Sequence, residues 1–253
     1  VKRAVVTLRG ADPGRRGGSG QTAVSGPDGR FEITGVAPGQ YRIRVNNGGS
    51  QVGLVDPVSV ANTSSGGSYS ITNTVTSIGS SAFSYCTNLT SAAIPMSVTN
   101  LGLYAFLDCS SLSAITVDPL NPAYCSRDGV LFNKSQTTLL QCPGGKTGSY
   151  AVRNGVTSIG DYACFECSSL TRVTIPTSVT SIGYGAFGVC TGLISVTFSS
   201  GITNIGDLAF DSCSSLTSVT IPNSVTSIGD EAFRYCTNLS GVYFQGNRPG
   251  LGE

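Results

Sequence analysis

The sequence predicts a β-rich α/β solenoid of parallel sheets and short helical turns, preceded by a small antiparallel β-sandwich. Three observations carry this. A five-residue phrase recurs six times at near-constant spacing, a stretch with strand-like alternation follows most copies, and residues 1–62 carry none of the repeat. Repetition with a period of 20–50 residues marks stacked units, because one unit cannot bury its own apolar side and several can share one core.

The six copies are Val75-Thr-Ser-Ile-Gly, Val98-Thr-Asn-Leu-Gly, Val156-Thr-Ser-Ile-Gly, Val179-Thr-Ser-Ile-Gly, Ile202-Thr-Asn-Ile-Gly and Val225-Thr-Ser-Ile-Gly, whose starts differ by 23, 58, 23, 23 and 23 residues. Each is followed by a short segment read as a helical turn, such as Asp230-Glu231-Ala232-Phe233, with Asp161, Asp207, Asp230 and Ser80 as its N-caps. A cysteine comes next, then an alternating segment such as Leu216-Thr-Ser-Val219-Thr-Ile221, whose apolar members face inward. Successive copies of that segment pair as a parallel sheet, with strands ~4.8 Å apart. Pro95, Pro176 and Pro222 follow these strands, where a missing N–H costs no pairing.

The long interval holds Asp128-Gly129-Val-Leu-Phe132, Asn133-Lys-Ser-Gln-Thr137 and Thr138-Leu-Leu-Gln141, which reads as a projecting or edge-extending hairpin near 118–150. In the amino-terminal part, Phe31 and Ile33, then Tyr41, Ile43 and Val45, alternate with polar residues across a Gly/Pro turn. That is strand, turn, strand with one buried face. The expected division is 1–62 for the sandwich, trimmed of its first strand, 63–67 for a Gly/Ser-rich linker and 68–253 for six coils of the 23-residue type.

Two resemblances follow from these residues. Ile-Gly-x-x-Ala-Phe-x-x-Cys-x-x-Leu-x-x-Val-x-Ile-Pro, over about residues 68–253, resembles the BspA-like leucine-rich repeats of bacterial surface proteins. This implies a leucine-rich-repeat arc with a concave parallel sheet, and adhesion or extracellular protein binding in place of a chemistry. The segment from Asp28 to Val45 is similar to carboxypeptidase-regulatory-like or Cna-B-like sandwiches, which implies a spacer or presentation module without peptidase activity.

Composition narrows the function. The 253 residues carry 15 basic and 14 acidic groups, no basic excess for nucleic acid. The split is uneven, with 8 basic and 4 acidic residues in 1–67, against 7 and 10 in 68–253, which reads as ordinary solvated surface. No apolar run approaches the ~20 residues of a bilayer span. Histidine is absent, which removes Ser-His and Cys-His nucleophiles and imidazole metal ligands. No catalytic residue, metal site or cofactor is expected. Lys2, Glu32 and Asn46 are the residue types of an autocatalytic isopeptide bond, but Lys2 lies in no matching motif.

Six of the nine cysteines (Cys86, Cys109, Cys167, Cys190, Cys213 and Cys236) share one repeat position and read as small buried apolar side chains. Cys164-Phe-Glu-Cys167 is a CxxC with neither a second pair nor a histidine to complete a zinc site, and Cys164 stands where other copies have Phe. Cys125 and Cys142 flank the hairpin and are the candidate disulfide partners.

The candidate site is the outward face of the concave sheet. Its positions are Ser91/Ala93, Ala114/Thr116, Arg172/Thr174, Ser195/Thr197, Ser218/Thr220 and Gly241/Tyr243. Arg172, Thr174, Thr197, Thr220 and Tyr243 are the candidate binding residues, with Arg172 and Tyr243 of hot-spot type. A blank solvated face is the competing reading, and the flat Thr row also suggests ice binding. The expected function is a non-enzymatic, secreted or cell-surface bacterial module that binds an extracellular protein or glycan. The alternative is a structural spacer or stalk, or an accessory region of a larger secreted enzyme. The chain opens as a strand without Met and ends at Glu253 just after Val242-Tyr-Phe244. It is therefore read as a piece of a longer protein, with self-association expected through an uncapped carboxyl-terminal coil.

Overall fold

The computed structural model describes residues 5–10, 21–24, 41–47, 50–55, 67–71, 73, 75–246 and 250–251, with side chains described between 71 and 246. The chain divides into two compact units, Val1–Ala123 and Tyr124–Glu253. Among the described residues each unit holds parallel-strand coils, about seven in all.

In the first unit, β1 (Val5–Gly10), β2 (Gln21–Val24), β3 (Tyr41–Asn47) and β4 (Ser50–Val55) form an antiparallel sheet of order β2-β1-β3-β4. The strand expected at Phe31–Ile33, and with it the second layer of a sandwich, lies outside the described residues. The coils follow as β5 (Gly67–Ser70), β6 (Ser77–Ile78), β7 (Leu89–Ile94), β8 (Asn100–Leu101) and β9 (Ala114–Val117). They give two parallel sheets, β5-β7-β9 and β6-β8. Ala92 and Ile94 of β7 are buried and pair with Ile115 and Val117, which keeps apolar residues stacked on the inner face.

A buried Asn121 closes this unit. Its Nδ2 donates to the Pro95 and Val98 carbonyls at 2.7 and 2.8 Å, and its Oδ1 accepts the Ala123 N–H at 2.9 Å. Every polar atom of a fully buried amide is thereby satisfied, as burial demands.

The second unit starts with a meander in place of a single hairpin. β10 (Tyr124–Arg127), β11 (Val130–Asn133) and β12 (Thr138–Gln141) run antiparallel. Positive φ at Asp128 and Gly129 gives the two-residue turn whose twist suits a hairpin. Asn133 pins the second loop, its Oδ1 accepting the Thr137 and Thr138 N–H groups. The meander extends the coil sheet, since β12 pairs in parallel with β14 (Ser158–Ile159).

From there two sheets grow side by side. One continues through β16 (Ser181–Ile182), β18 (Asn204–Ile205), β20 (Ser227–Ile228) and β22 (Gly250–Leu251). The other is β13 (Gly148–Ala151), β15 (Leu170–Ile175), β17 (Ser195–Phe198), β19 (Ser218–Ile221) and β21 (Gly241–Phe244), in that order. Val173, Val196 and Val219 line the inner face, with Leu170, Leu193 and Leu216 filling the space beside them.

The link between the two sheets corrects one expectation: the segment after each Ile-Gly is a run of turns and not a helix. Its donors alternate. Ala209, Asp211 and Cys213 donate to the carbonyls of Gly206, Leu208 and Phe210 within their own coil, whereas Leu208, Phe210 and Ser212 donate to Asp230, Ala232 and Arg234 of the next. This geometry needs left-handed backbone twice per coil, at Leu208 and Ser212 here and at Tyr162 and Glu166 nearer the meander. The aspartates behave accordingly. Asp161 and Asp207 each accept an N–H of the following coil, from Tyr184 at 2.8 Å and Asp230 at 3.0 Å, and so cap across coils.

The repeat Gly is required by close approach of neighbouring coils. A Cβ at Gly229 would lie 2.5 Å from the Asp207 backbone nitrogen and 2.8 Å from the Gly206 carbonyl carbon. Where neighbouring coils carry the repeat Phe, the rings stack on one another. Phe187, Phe210 and Phe233 are near parallel with centroids 5.2 and 5.3 Å apart, and Phe83 and Phe106 repeat the arrangement in the first unit.

Candidate binding surface and thiol core

The five candidate binding residues lie on one sheet of the second unit. Alternation along β15 turns Val173 and Ile175 inward and leaves Arg172 and Thr174 exposed. Parallel pairing in register then builds rows. Ser149, Arg172, Ser195, Ser218 and Gly241 form one, and Ala151, Thr174 and Thr197 form the other. Thr220 pairs with Tyr243 in the same alternation. Thr197 and Thr220 are exposed.

Tyr243 is 61% exposed. A Cβ added at Gly241, two residues earlier on the same face, would meet the ring at 2.9 Å and the hydroxyl at 2.8 Å. The ring therefore lies on the bare Gly241 backbone and presents its other face to solvent. Beside it Val242 and Phe244 are 38% and 39% exposed, whereas their counterparts one coil earlier, Val219 and Ile221, are both 1% exposed.

A second regular row crosses the other sheet. Thr157, Thr180, Thr203 and Thr226 each donate through Oγ1 to the carbonyl of a threonine one coil earlier at 3.1 Å. Those hydroxyls are engaged in holding coils together. Arg234 is likewise engaged, with Asp211 at 2.9 Å and Glu231, and its guanidinium sits over Tyr235.

The repeat cysteines are core residues, as expected, with Cys86 the least enclosed. The thiols of Cys109, Cys190, Cys213 and Cys236 donate to the carbonyls of Phe83, Cys164, Phe187 and Phe210 at 3.0–3.1 Å. Burial pushes the Cys86 thiol up to about 11 and Cys109 and Cys190 higher still, so these sulfurs stay protonated.

The suggested Cys125–Cys142 bridge is not formed. Cys125 donates to the Asn133 carbonyl across the first hairpin, and Cys142 is buried in the core. Cys142 instead joins Cys164 and Cys167, whose thiols hydrogen-bond to it and hold it well below the ordinary thiol range. The buried Tyr150 hydroxyl close by has no hydrogen-bond partner. Sequence reading missed this trio because Leu139 to Cys142 is two residues shorter than the matching Ile159 to Cys164. Among the described residues no group of three or more His, Cys, Asp or Glu side chains is arranged to hold a metal, and no helix is long and apolar enough to cross a membrane. The isopeptide candidates Lys2 and Glu32, and the Asn46 side chain, lie outside the described residues.

Six copies of the BspA type leucine rich repeat region match residues 59–137 and 147–252. The chain belongs to that family. Among solved structures, a leucine rich cell surface protein from Faecalibacterium prausnitzii A2-165 is 31% identical, with a TM-score of 0.54 over 72% of this chain and 60% of its own. A leucine-rich repeat protein from Eubacterium ventriosum is 25% identical, with a TM-score of 0.55 over 70% of this chain and 54% of its own. The pneumococcal vaccine antigen PcpA shares the fold at 20% identity and a TM-score of 0.58, over 72% of this chain and 57% of its own. The chain thus covers less than two thirds of each of these structures. No curated protein matches it.

Proposed function

We propose that the outward face of the β13-β15-β17-β19-β21 sheet is a binding surface for an extracellular protein or glycan. On this reading the chain is a non-enzymatic adhesion or protein-binding module exposed at a bacterial surface. The observation that carries it is the pair of exposed rows containing Arg172, Thr174 and Thr197, with Tyr243 resting on Gly241 and paired to Thr220. A flat aromatic face, a guanidinium and a field of small hydroxyls suit a ligand with alternating apolar and hydrogen-bonding groups. The cell-surface description of the Faecalibacterium relative supports the location. The amino-terminal part serves as a presentation module, and the half-exposed Val242 and Phe244 give a route to self-association.

The test is immobilised binding of the chain to a panel of matrix proteins, mucins and bacterial glycans, with Arg172→Ala/Tyr243→Ala beside it. Saturable binding that the double substitution weakens at least tenfold supports the reading. Saturable binding that the substitution leaves unchanged moves the site elsewhere, and no binding across the panel favours a structural spacer.

A further inference from the structure

The backbone places Cys142 and Cys164 in the phenylalanine column. In each coil the residue at the Phe position donates its N–H to the Ala of the next coil: Phe83 to Ala105, Phe187 to Ala209 and Phe210 to Ala232. Cys142 donates to Ala163 and Cys164 to Ala186 in the same way. Where two stacked rings would stand, the second unit holds two adjacent cysteines at its first joint, between the meander and the regular coils. Neighbouring coils are ~4.8 Å apart at the backbone, inside the Cα separation of about 4.4–6.8 Å that a disulfide spans.

The sulfurs of this joint differ from those of the repeat column. Four of the repeat cysteines, Cys109, Cys190, Cys213 and Cys236, each donate to a carbonyl at 3.0–3.1 Å, and Cys213 and Cys236 also hydrogen-bond to each other. Among the described residues Cys142 and Cys164 make no bond of that kind. Cys142 faces the Cys164 and Cys167 thiols, and Cys167 reaches the carbonyl of Pro143, the residue after Cys142, only at 3.7 Å. Cys142 and Cys167 also come from different columns, so the stacking of coils does not force their Cβ vectors to run parallel.

We propose that Cys142 forms a disulfide with the Cys164-x-x-Cys167 pair, fastening the meander to the first regular coil. The oxidant is a small-molecule disulfide of the glutathione or cystine class. The Cys142 thiolate attacks one of its sulfurs, forming a mixed disulfide and releasing one thiolate. The thiolate of Cys164 or Cys167 then attacks the Cys142 sulfur and expels the second. Two cysteines become one disulfide, and their two protons leave with two equivalents of small thiol. All three sulfurs are fully enclosed in the folded chain, so exchange takes place as Thr138–Gln141 docks on Ser158–Ile159, before the core closes. First attack by Cys164 or Cys167, with Cys142 displacing the second small thiolate, gives the same product.

The experiment is refolding of the full chain in a reduced/oxidised glutathione buffer, acid quench, alkylation of the remaining thiols in denaturant, and peptide mapping by mass spectrometry. The expected result is loss of two of the nine thiols, with one cross-linked peptide joining Cys142 to Cys164 or Cys167. A thermal midpoint roughly 5–10 °C above that of the reduced chain should accompany it. Cys142→Ser should keep every remaining thiol alkylatable and abolish the rise. Full alkylation of Cys142 in the refolded wild-type chain overturns the proposal, as does a cross-link confined to the repeat column, such as Cys213 to Cys236. Both readouts come from the unaltered protein, so they decide the matter even where a variant fails to fold.

Discussion

Phe210→Ala tests how the coils hold together. The Phe210 ring is fully buried, stacked at 5.2 Å on Phe187 and at 5.3 Å on Phe233, with Phe198 edge-on at 5.8 Å. Truncating a buried Phe to Ala costs about 3–5 kcal/mol through lost transfer and the cavity left behind. Three lost ring contacts place this site at the upper end, near ~5 kcal/mol. Phe233→Ala removes a ring that is only partly buried and has one stacked neighbour, so about 2 kcal/mol is expected there. With a urea slope of about 2 kcal/mol/M, the midpoints should fall by about 2.5 M and 1 M respectively. The assay is urea unfolding followed by far-ultraviolet circular dichroism, with amide exchange to locate the loosening. In a stacked repeat it should centre on the coils around residues 187–233. Equal losses for the two variants, or a loss under about 1 kcal/mol for Phe210→Ala, would refute the reasoning, because the column would then contribute nothing beyond the burial of single rings.

Three further outcomes are expected. Gly229→Ala should lower stability by about 2–4 kcal/mol, since its Cβ meets the Asp207 carboxylate and, behind it, the Asp207 and Gly206 backbone, which cannot move aside with the carboxylate; thermal unfolding checks it, and a neutral effect would contradict the close packing of coils. Asn121→Ala should cost about 2–4 kcal/mol by stranding the Pro95 and Val98 carbonyls, read by amide exchange at the Val98 turn. Raising the pH from about 8.5 to about 11 should destabilise the reduced chain. The folded pKa of Cys86 is raised to about 11 from an ordinary 9.0, so the unfolded chain releases its proton first and stability falls as pH rises through that window. Each such thiol contributes a loss of up to about 1.4 kcal/mol per pH unit, and a flat thermal midpoint would show the repeat sulfurs to be hydrated.

What could be read from the sequence depended on periodicity. Val219 and Ile221 alternate with Ser218 and Thr220, and Leu216 precedes them by a fixed step, so sheet, inner face and outward rows followed directly. The turn segment reads as a helix because Asp230-Glu231-Ala232-Phe233 has a good cap and helix-forming residues. The next coil offers its carbonyls to every other N–H, and that tertiary pairing overrides local propensity. The first strand of the meander escapes notice because Tyr124-Cys-Ser-Arg127 has no apolar alternation and is defined only by its partner β11. The candidate residues Arg172, Thr174, Thr197, Thr220 and Tyr243 could be placed from register alone, whereas the resting of Tyr243 on Gly241 depends on a ring orientation that no spacing encodes.

The alternating donors of the turn segment act as a reading frame for insertion and duplication. An odd-numbered shift inside it would exchange the two sets of N–H groups, so that Phe210 would seek its partner within its own coil and Ala209 across to the next, each facing an empty place. Such a chain loses a whole column of hydrogen bonds, so single-residue slips in this segment should be purged. Lengthening by complete 23-residue coils, or by a long excursion that returns in phase, preserves every pairing. The 58-residue interval is such an excursion: it leaves as an antiparallel meander and comes back with Cys142 offering its N–H to Ala163, in frame with the coils that follow.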